Sequence, residues 1–320
     1  LDVRPWHGLD EVPRDWGGSV VAAGVFDGVH RGHQAVLAAA VERSRALGLP
    51  VVAVVLEPGF GGAGPDAAPP AVLTPIDRRA ELLAALGAAA VCVLPASAGA
   101  AAPEPALFVR RVLVERLGAA AVAVGDGGLD LGRGAAIGAE ELRGLGERHG
   151  FAVDVVAPVG GAEPVTSERV RALLEAGDAD AAREALGRPH RVEGVVVHGA
   201  ARGRELLGFP TANLECPPGT AVPGDGVYAG RMLLTEPAPG AAETAWPAAI
   251  SVGTNPTFEG AARTVEGYAL DRDDLDLYGR RMAMEFTHRI RGQRRFASVD
   301  ELIEAMGRDV DRARELAGEG

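Results

Sequence analysis

The chain has 320 residues, more than a single domain usually holds, so two domains are expected. Its hydrophobic share of 47% with only 4% aromatic predicts aliphatic cores, and no apolar run reaches the roughly 18 to 20 residues of a membrane helix. There is no lysine, so arginine guanidinium groups supply the permanent side-chain cations; the net charge of −12 and the lack of a basic run exclude polymeric nucleic acid as an expected partner, and the missing lysine excludes a Walker-type phosphate loop.

The opening stretch, LDVRPWHGLDEV, carries charges where an export signal needs an apolar centre, which predicts a cytoplasmic protein. From Val20 to about Leu186, short β-branched runs (VVAAGV, VVAVVL, AVCVLP, AVAVG, FAVDVVAP) alternate with stretches of helical periodicity, among them HQAVLAAAVERSRALG and DRRAELLAALG. Such alternation predicts βαβ units on a parallel sheet. GFGGAGPDAAPP and PASAGAAAPEP interrupt it as loops. Two helices follow in TSERVRALLEAGDADAAREALGRP, and the boundary is placed after Gly187, giving domains 1–187 and 188–320. Beyond it VEGVVVH, GVYAGRMLL, AAISVG, TVEGYAL and RMAMEFTHRI read as strands, and SVDELIEAMGRDVDRARELAG as a helix capped by Ser298 with Glu301 three residues on. A small antiparallel barrel closed by a terminal helix is expected. Cys92 and Cys216 fall in separate domains and show no metal-ligand spacing, so both are expected as free thiols. Nothing in the sequence sets the number of subunits.

Three stretches carry chemistry. GVFDGVHRGHQ, residues 24–34, places His30 and His33 three apart at the mouth of a helix. HGAARGRELLGFPTAN, residues 198–213, combines Gly199, Gly203 and Gly208 with Arg202, and Thr211 and Asn213 would project oxygens to one side of an extended segment. Such hard donors suit magnesium on nucleotide phosphates, although a glycine-rich hairpin turn has the same look. In RTVEGYALD, Glu266 beside Val265 is either a solvent-facing carboxylate or a partly desolvated general base.

GFPTAN, DGVYAG, SVGTNPTF, VE-x-x-x-LD and DLYG, in this order, resemble the riboflavin kinase module of the bifunctional riboflavin kinase/FMN adenylyltransferase (FAD synthetase) family, over essentially all of residues 188–316. The resemblance implies a six-stranded antiparallel β-barrel with a terminal helix that moves the γ-phosphoryl group of ATP to the 5′-hydroxyl of riboflavin, giving FMN. Thr211 and Asn213 would hold Mg2+, the loop Gly199–Gly208 with Arg202 and Gly203 would cover the ATP phosphates, and Glu266 would be the base. RIRGQRRF, residues 289–296, resembles the family's flap near the flavin.

The resemblance extends to residues 18–187, as an α/β Rossmann-like nucleotidyltransferase domain with the H-x-G-H signature at His30, Gly32 and His33. It implies nucleotide binding by Phe26, Asp27, Gly28, His30, Gly32, His33, Ser167 and Arg171: glycines let the backbone approach phosphates, and a helix N-terminus meets anionic charge. Three motifs depart from the family. Gly59 and Phe60 stand in LEPGF where the family has histidine and proline. GDGGLDLG has Leu129 and Leu131 for two aromatics and Gly128 at a polar position. PVTSERVR has Pro164 for an arginine and Glu168 for a hydroxyl. Loss of one preorganised donor costs roughly 100- to 1,000-fold in rate, so FMN adenylyl transfer to FAD is expected to be impaired. A fully bifunctional enzyme, and a first domain that only binds nucleotide or flavin, are the alternatives.

Overall fold

The computed structural model describes residues 5–57, 69–95, 104–132, 135–197, 211–236, 244–254 and 263–318. The chain divides into two compact units, Leu1–Ser167 and Glu168–Gly320.

The first unit runs β1 (Trp6–His7), β2 (Ser19–Gly24), α1 (Arg31–Leu47), β3 (Val51–Leu56), α2 (Ile76–Ala85), β4 (Ala90–Leu94), α3 (Pro105–Phe108), a π-helical continuation (Val109–Arg116), β5 (Ala119–Gly125), β6 (Leu129–Gly132), β7 (Ala135–Ile137), α4 (Ala139–His149) and β8 (Ala152–Val156). Six strands pair in parallel in the order β1-β4-β3-β2-β5-β8. The apolar runs are continuous because both faces are covered: Val21, Val52, Val54 and Cys92 pack on one side, Val20, Ala22, Ala53 and Val91 on the other. Strand order reverses between β2 and β5, and in open α/β sheets such a switch leaves a crevice at the carboxyl ends of the strands. β1 does not show in the sequence pattern; it is two residues long and pairs with Cys92 and Val93.

The second unit takes in α5 (Ser167–Glu175, all but its first residue), α6 (Ala179–Leu186), β9 (His190–Val197), β10 (Ala212–Glu215), β11 (Gly226–Leu234), β12 (Ala245–Thr254), β13 (Arg263–Ala269), β14 (Arg281–Arg291) and α7 (Val299–Ala317). The six strands form a closed antiparallel barrel, ordered β10-β13-β12-β11-β14-β9. Alternate residues fill its interior: Val192, Val196, Leu214, Tyr228, Met232, Ile250, Val265, Met284 and Phe286 are all buried. Gly267 faces inward as well, where a Cβ would stand 2.7 Å from Met284 Cε and 2.8 Å from Met232 Sδ. The Ser298 cap forms as the sequence predicts, its hydroxyl accepting the Glu301 N–H at 3.1 Å.

The compact division falls upstream of the change in composition at Gly187, because the α5–α6 turn is held by the barrel. Arg263 at the start of β13 bonds Glu175 (2.7 Å) and Asp225 (3.1 Å), and Arg289 donates to the carbonyls of Ala176 and Asp225. Gly177, at φ 74°, passes so close to the Tyr228 hydroxyl that a Cβ would lie 2.8 Å from it. No described helix is long and apolar enough to cross a membrane, and Cys92 and Cys216 are both free thiols.

Candidate functional site

In the first unit the carboxyl ends of β2, β5 and β8 open on a cleft of about 390 Å3 at the strand-order switch. Phe26, His30, Gly32, His33, Asp126, Leu129, Pro164 and Thr166 are among its lining residues. Three residues of the loop feeding α1 have positive φ: Phe26 (54°), Gly28 (86°) and Val29 (40°). For the two that are not glycine this is an uncommon conformation, of the kind held at functional sites by surrounding bonds. His30 caps α1, its Nδ1 accepting the His33 N–H at 3.4 Å. The two imidazoles stack at 3.6 Å between centroids, and Phe26 meets His33 edge-on at 5.2 Å. Burial, then the neighbouring His30 and the Arg79 cation, hold the His33 pKa well below the ordinary value, so that ring is neutral and His33 Nδ1 has no protein partner among the described residues. A Cβ on Gly32 would sit 3.0 Å from both His30 Cε1 and the Val165 carbonyl, which gives the central glycine of H-x-G-H a steric reason.

Of the other residues expected at this site, Asp27 and Ser167 belong to the same unit. Asp27 is buried and turned away from the cleft: its carboxylate accepts the N–H groups of Leu73 and Thr74 and one N–H of Arg79. The Ser167 hydroxyl donates to the Asp27 carbonyl at 2.8 Å. Arg171 lies on α5 in the second unit, and Glu168 is exposed on the first turn of the same helix. Gly59 and Phe60 lie outside the described residues.

The GDGGLDLG stretch ends β5, turns at Gly128 and forms β6, which pairs antiparallel with β7. Leu129 and Leu131 are buried in the core with Phe108 and Ile137. Gly128, at φ 79°, runs so close to the next strand that a Cβ would stand 2.1 Å from the Ile137 carbonyl. The backbone there leaves no room for a side chain.

In the second unit the barrel's alternation decides which side chains stand outside. Ala212 and Leu214 point inward, as do Val265 and Gly267 and, on β12, Ile250 and Val252. Asn213, Glu266 and Ser251 therefore share the outer face, and the register pairs Asn213 with Glu266 and Glu266 with Ser251. Directly opposed residues on neighbouring strands have Cβ atoms about 5 Å apart, so the three form one polar row. Thr211 immediately precedes β10 and is half-buried. Burial pushes the Glu266 carboxyl pKa up. A carboxylate, an amide and hydroxyls on one short row can accept a proton from a hydroxyl and offer oxygens to a hard cation. The glycine loop with Gly199, Arg202, Gly203 and Gly208 lies outside the described residues.

Residues that pattern reading missed also stand here. Gln293 donates its amide to the Ser251 hydroxyl oxygen (3.1 Å) and to the Val252 carbonyl (2.8 Å), which fastens the RIRGQRRF stretch beside the Glu266 row. Of that stretch's arginines, Arg289 and Arg291 belong to β14; Arg291 pairs with Asp309 at 2.6 Å, and Arg294 lies 4.6 Å over the Phe296 ring. Arg79 gave no signal either, because an arginine in an amphipathic helix normally marks the solvent face.

A family model described as FAD synthetase matches residues 12–169, and one described as riboflavin kinase matches residues 186–317. The chain is 36% identical over 313 residues to the bifunctional riboflavin kinase/FMN adenylyltransferase of Pseudomonas fluorescens, covering 97% of each. It is 34% identical over 317 residues to that of Escherichia coli (strain K12), covering 99% of this chain and 97% of the relative, and 27% identical to that of Bacillus subtilis (strain 168), covering 92% and 91%. A crystal structure described as a macrolide-efflux protein from Streptococcus pneumoniae superposes with a TM-score of 0.82 at 27% identity, covering 98% of this chain and 99% of that one.

Proposed function

The chain belongs to the bifunctional riboflavin kinase/FMN adenylyltransferase family, and from that premise we propose that its second unit phosphorylates riboflavin with ATP at the Asn213–Glu266 row. The observation that carries this assignment is the register: strands distant in sequence bring the proposed base and a proposed metal ligand directly opposite each other. Glu266 takes the proton of the 5′-hydroxyl, the oxygen bonds to the γ-phosphorus, and the bond to the β-phosphate bridge breaks to release ADP. The raised pKa suits a base that must hold the proton through transfer.

Thr211 and Asn213 offer neutral oxygens, and no cluster of three or more His, Cys, Asp or Glu able to hold a metal exists among the described residues. This donor set fits a magnesium ion held largely by nucleotide phosphates. When bound, that ion neutralises charge on the transferring phosphoryl group, a task otherwise left to arginine in a chain without lysine. The glycine loop with Arg202 covers the phosphates in this reading, and ATP as phosphoryl donor accords with a cytoplasmic setting.

In the first unit, the cleft at the sheet switch with its histidine pair supports nucleotide binding. The aliphatic Leu129 on the cleft wall, Leu131 in the core behind it and the tight backbone at Gly128 support impaired adenylyl transfer to FMN. The second reading, full bifunctionality, is favoured by the open cleft at His30 and His33. Incubation with riboflavin, ATP and magnesium, with FMN and FAD separated by chromatography, distinguishes them: FMN with little FAD supports the first, and FAD in quantity supports the second.

A further inference from the structure

The loop that delivers the histidine pair takes three positive-φ residues in a four-residue span, so something must hold it. The holding group lies outside the loop. Arg79 on α2 is fully buried and spreads its guanidinium over three acceptors: the Val25 carbonyl (2.7 Å), Asp27 Oδ1 (2.9 Å) and the Thr74 carbonyl (2.8 Å). Asp27 in turn accepts the N–H groups of Leu73 and Thr74, each at 3.1 Å. The acceptors at Val25 and Asp27 bracket Phe26, which lies edge-on against His33, and Asp27 is three residues before His30.

We propose that Arg79 is a positioning residue for the nucleotide cleft, fixing from α2 the backbone that sets His30 and His33 against the incoming phosphates. The planar fork matters, because it serves acceptors on two segments at once, which a point cation does less well. The same cation, after burial and His30, keeps His33 neutral, so Arg79 bears on both the place and the protonation of the pair. The inference rests on the reading of this cleft as a nucleotide site.

The test uses the full chain and follows the imidazole proton resonances of His30 and His33, in a pH titration and on addition of ATP. The dispersion of the remaining first-unit resonances reports that each variant's first unit is folded, and FMN formation reports the same of the second. In Arg79→Met the His33 midpoint is expected to rise and the ATP response of both rings to weaken about 10- to 100-fold in apparent affinity. Arg79→Lys is expected to keep the low His33 midpoint while losing part of the affinity. Should Arg79→Met not fold, Arg79→Lys decides alone: weakened ATP response at the two rings supports the inference, and wild-type response overturns it. Wild-type midpoints and ATP response in Arg79→Met likewise overturn it. If ATP leaves both rings unmoved in the wild-type chain, the nucleotide reading fails instead, and the His33 midpoint still decides whether Arg79 sets the pair.

Discussion

Asn213 on β10 and Glu266 on β13 face each other across an antiparallel pair on the outer surface of a closed barrel. Neither is conspicuous in its own strand, where the inward neighbours Leu214 and Val265 make the apolar pattern. Opposed, they place an amide oxygen and a partly desolvated carboxylate about 5 Å apart at Cβ.

Asn213→Ala is expected to cut kcat/KM for FMN formation by roughly 100-fold or more, the scale for losing one preorganised group at a phosphoryl-transfer site. Part of the loss should be recovered at high magnesium, which separates a metal ligand from a strand residue. Initial rates measured over a magnesium series check this; a loss unaffected by magnesium contradicts the ligand role.

Glu266 also sets a pH dependence. A base must be ionised, so the rate of FMN formation is expected to fall on the acid side with a midpoint above the ordinary carboxyl value of 4.5. Stability runs the other way. A carboxyl whose folded pKa is raised contributes stability that is complete below its unfolded pKa and is lost as pH rises through the folded one. Glu266→Gln is therefore expected to leave the thermal midpoint at pH 8 no lower than wild type, read by calorimetry, and a clear drop contradicts the desolvated placement.

The tight backbone at Gly128 in the first unit is expected to resist a larger residue. Gly128→Asn must fit a Cβ 2.1 Å from the Ile137 carbonyl. Clashes of this kind cost about 1 to 3 kcal/mol or more, so the variant should unfold earlier in denaturant and gain no FAD formation. Stability held at the wild-type level, or a rise in FAD, contradicts the closed-backbone account.

Inside the barrel, Gly267→Ala pushes a methyl group toward two methionine side chains. Methionine adapts, so a loss of about 1 kcal/mol is expected, with a fall in FMN formation because the shift occurs beside Glu266. Unfolding and rate measurements on the same variant check both effects.

The parallel sheet was legible because strands covered on both faces write continuous apolar runs, as VVAVVL does in β3. β1 was not, since two residues give periodicity nothing to repeat, and β10 showed only as the short extended segment at Thr211 and Asn213. Thr211, Asn213 and Glu266, the residues of the proposed kinase site, could be singled out one by one in the sequence, but the pairing of Asn213 with Glu266 could not, since strand register joins residues more than fifty positions apart. Arg79 was hidden for a different reason. Its helix shows an ordinary amphipathic pattern, and only the fold reveals that this arginine is fully buried on the histidine loop.

The central claim is that the second unit makes FMN with Glu266 as the base, and the most direct test is the initial rate of FMN formation from riboflavin, ATP and magnesium by the wild-type chain and by Glu266→Gln. FMN production by the wild-type chain and a loss of roughly 100-fold or more in the variant is the predicted result. No FMN from the wild-type chain, or an undiminished rate in the variant, contradicts it.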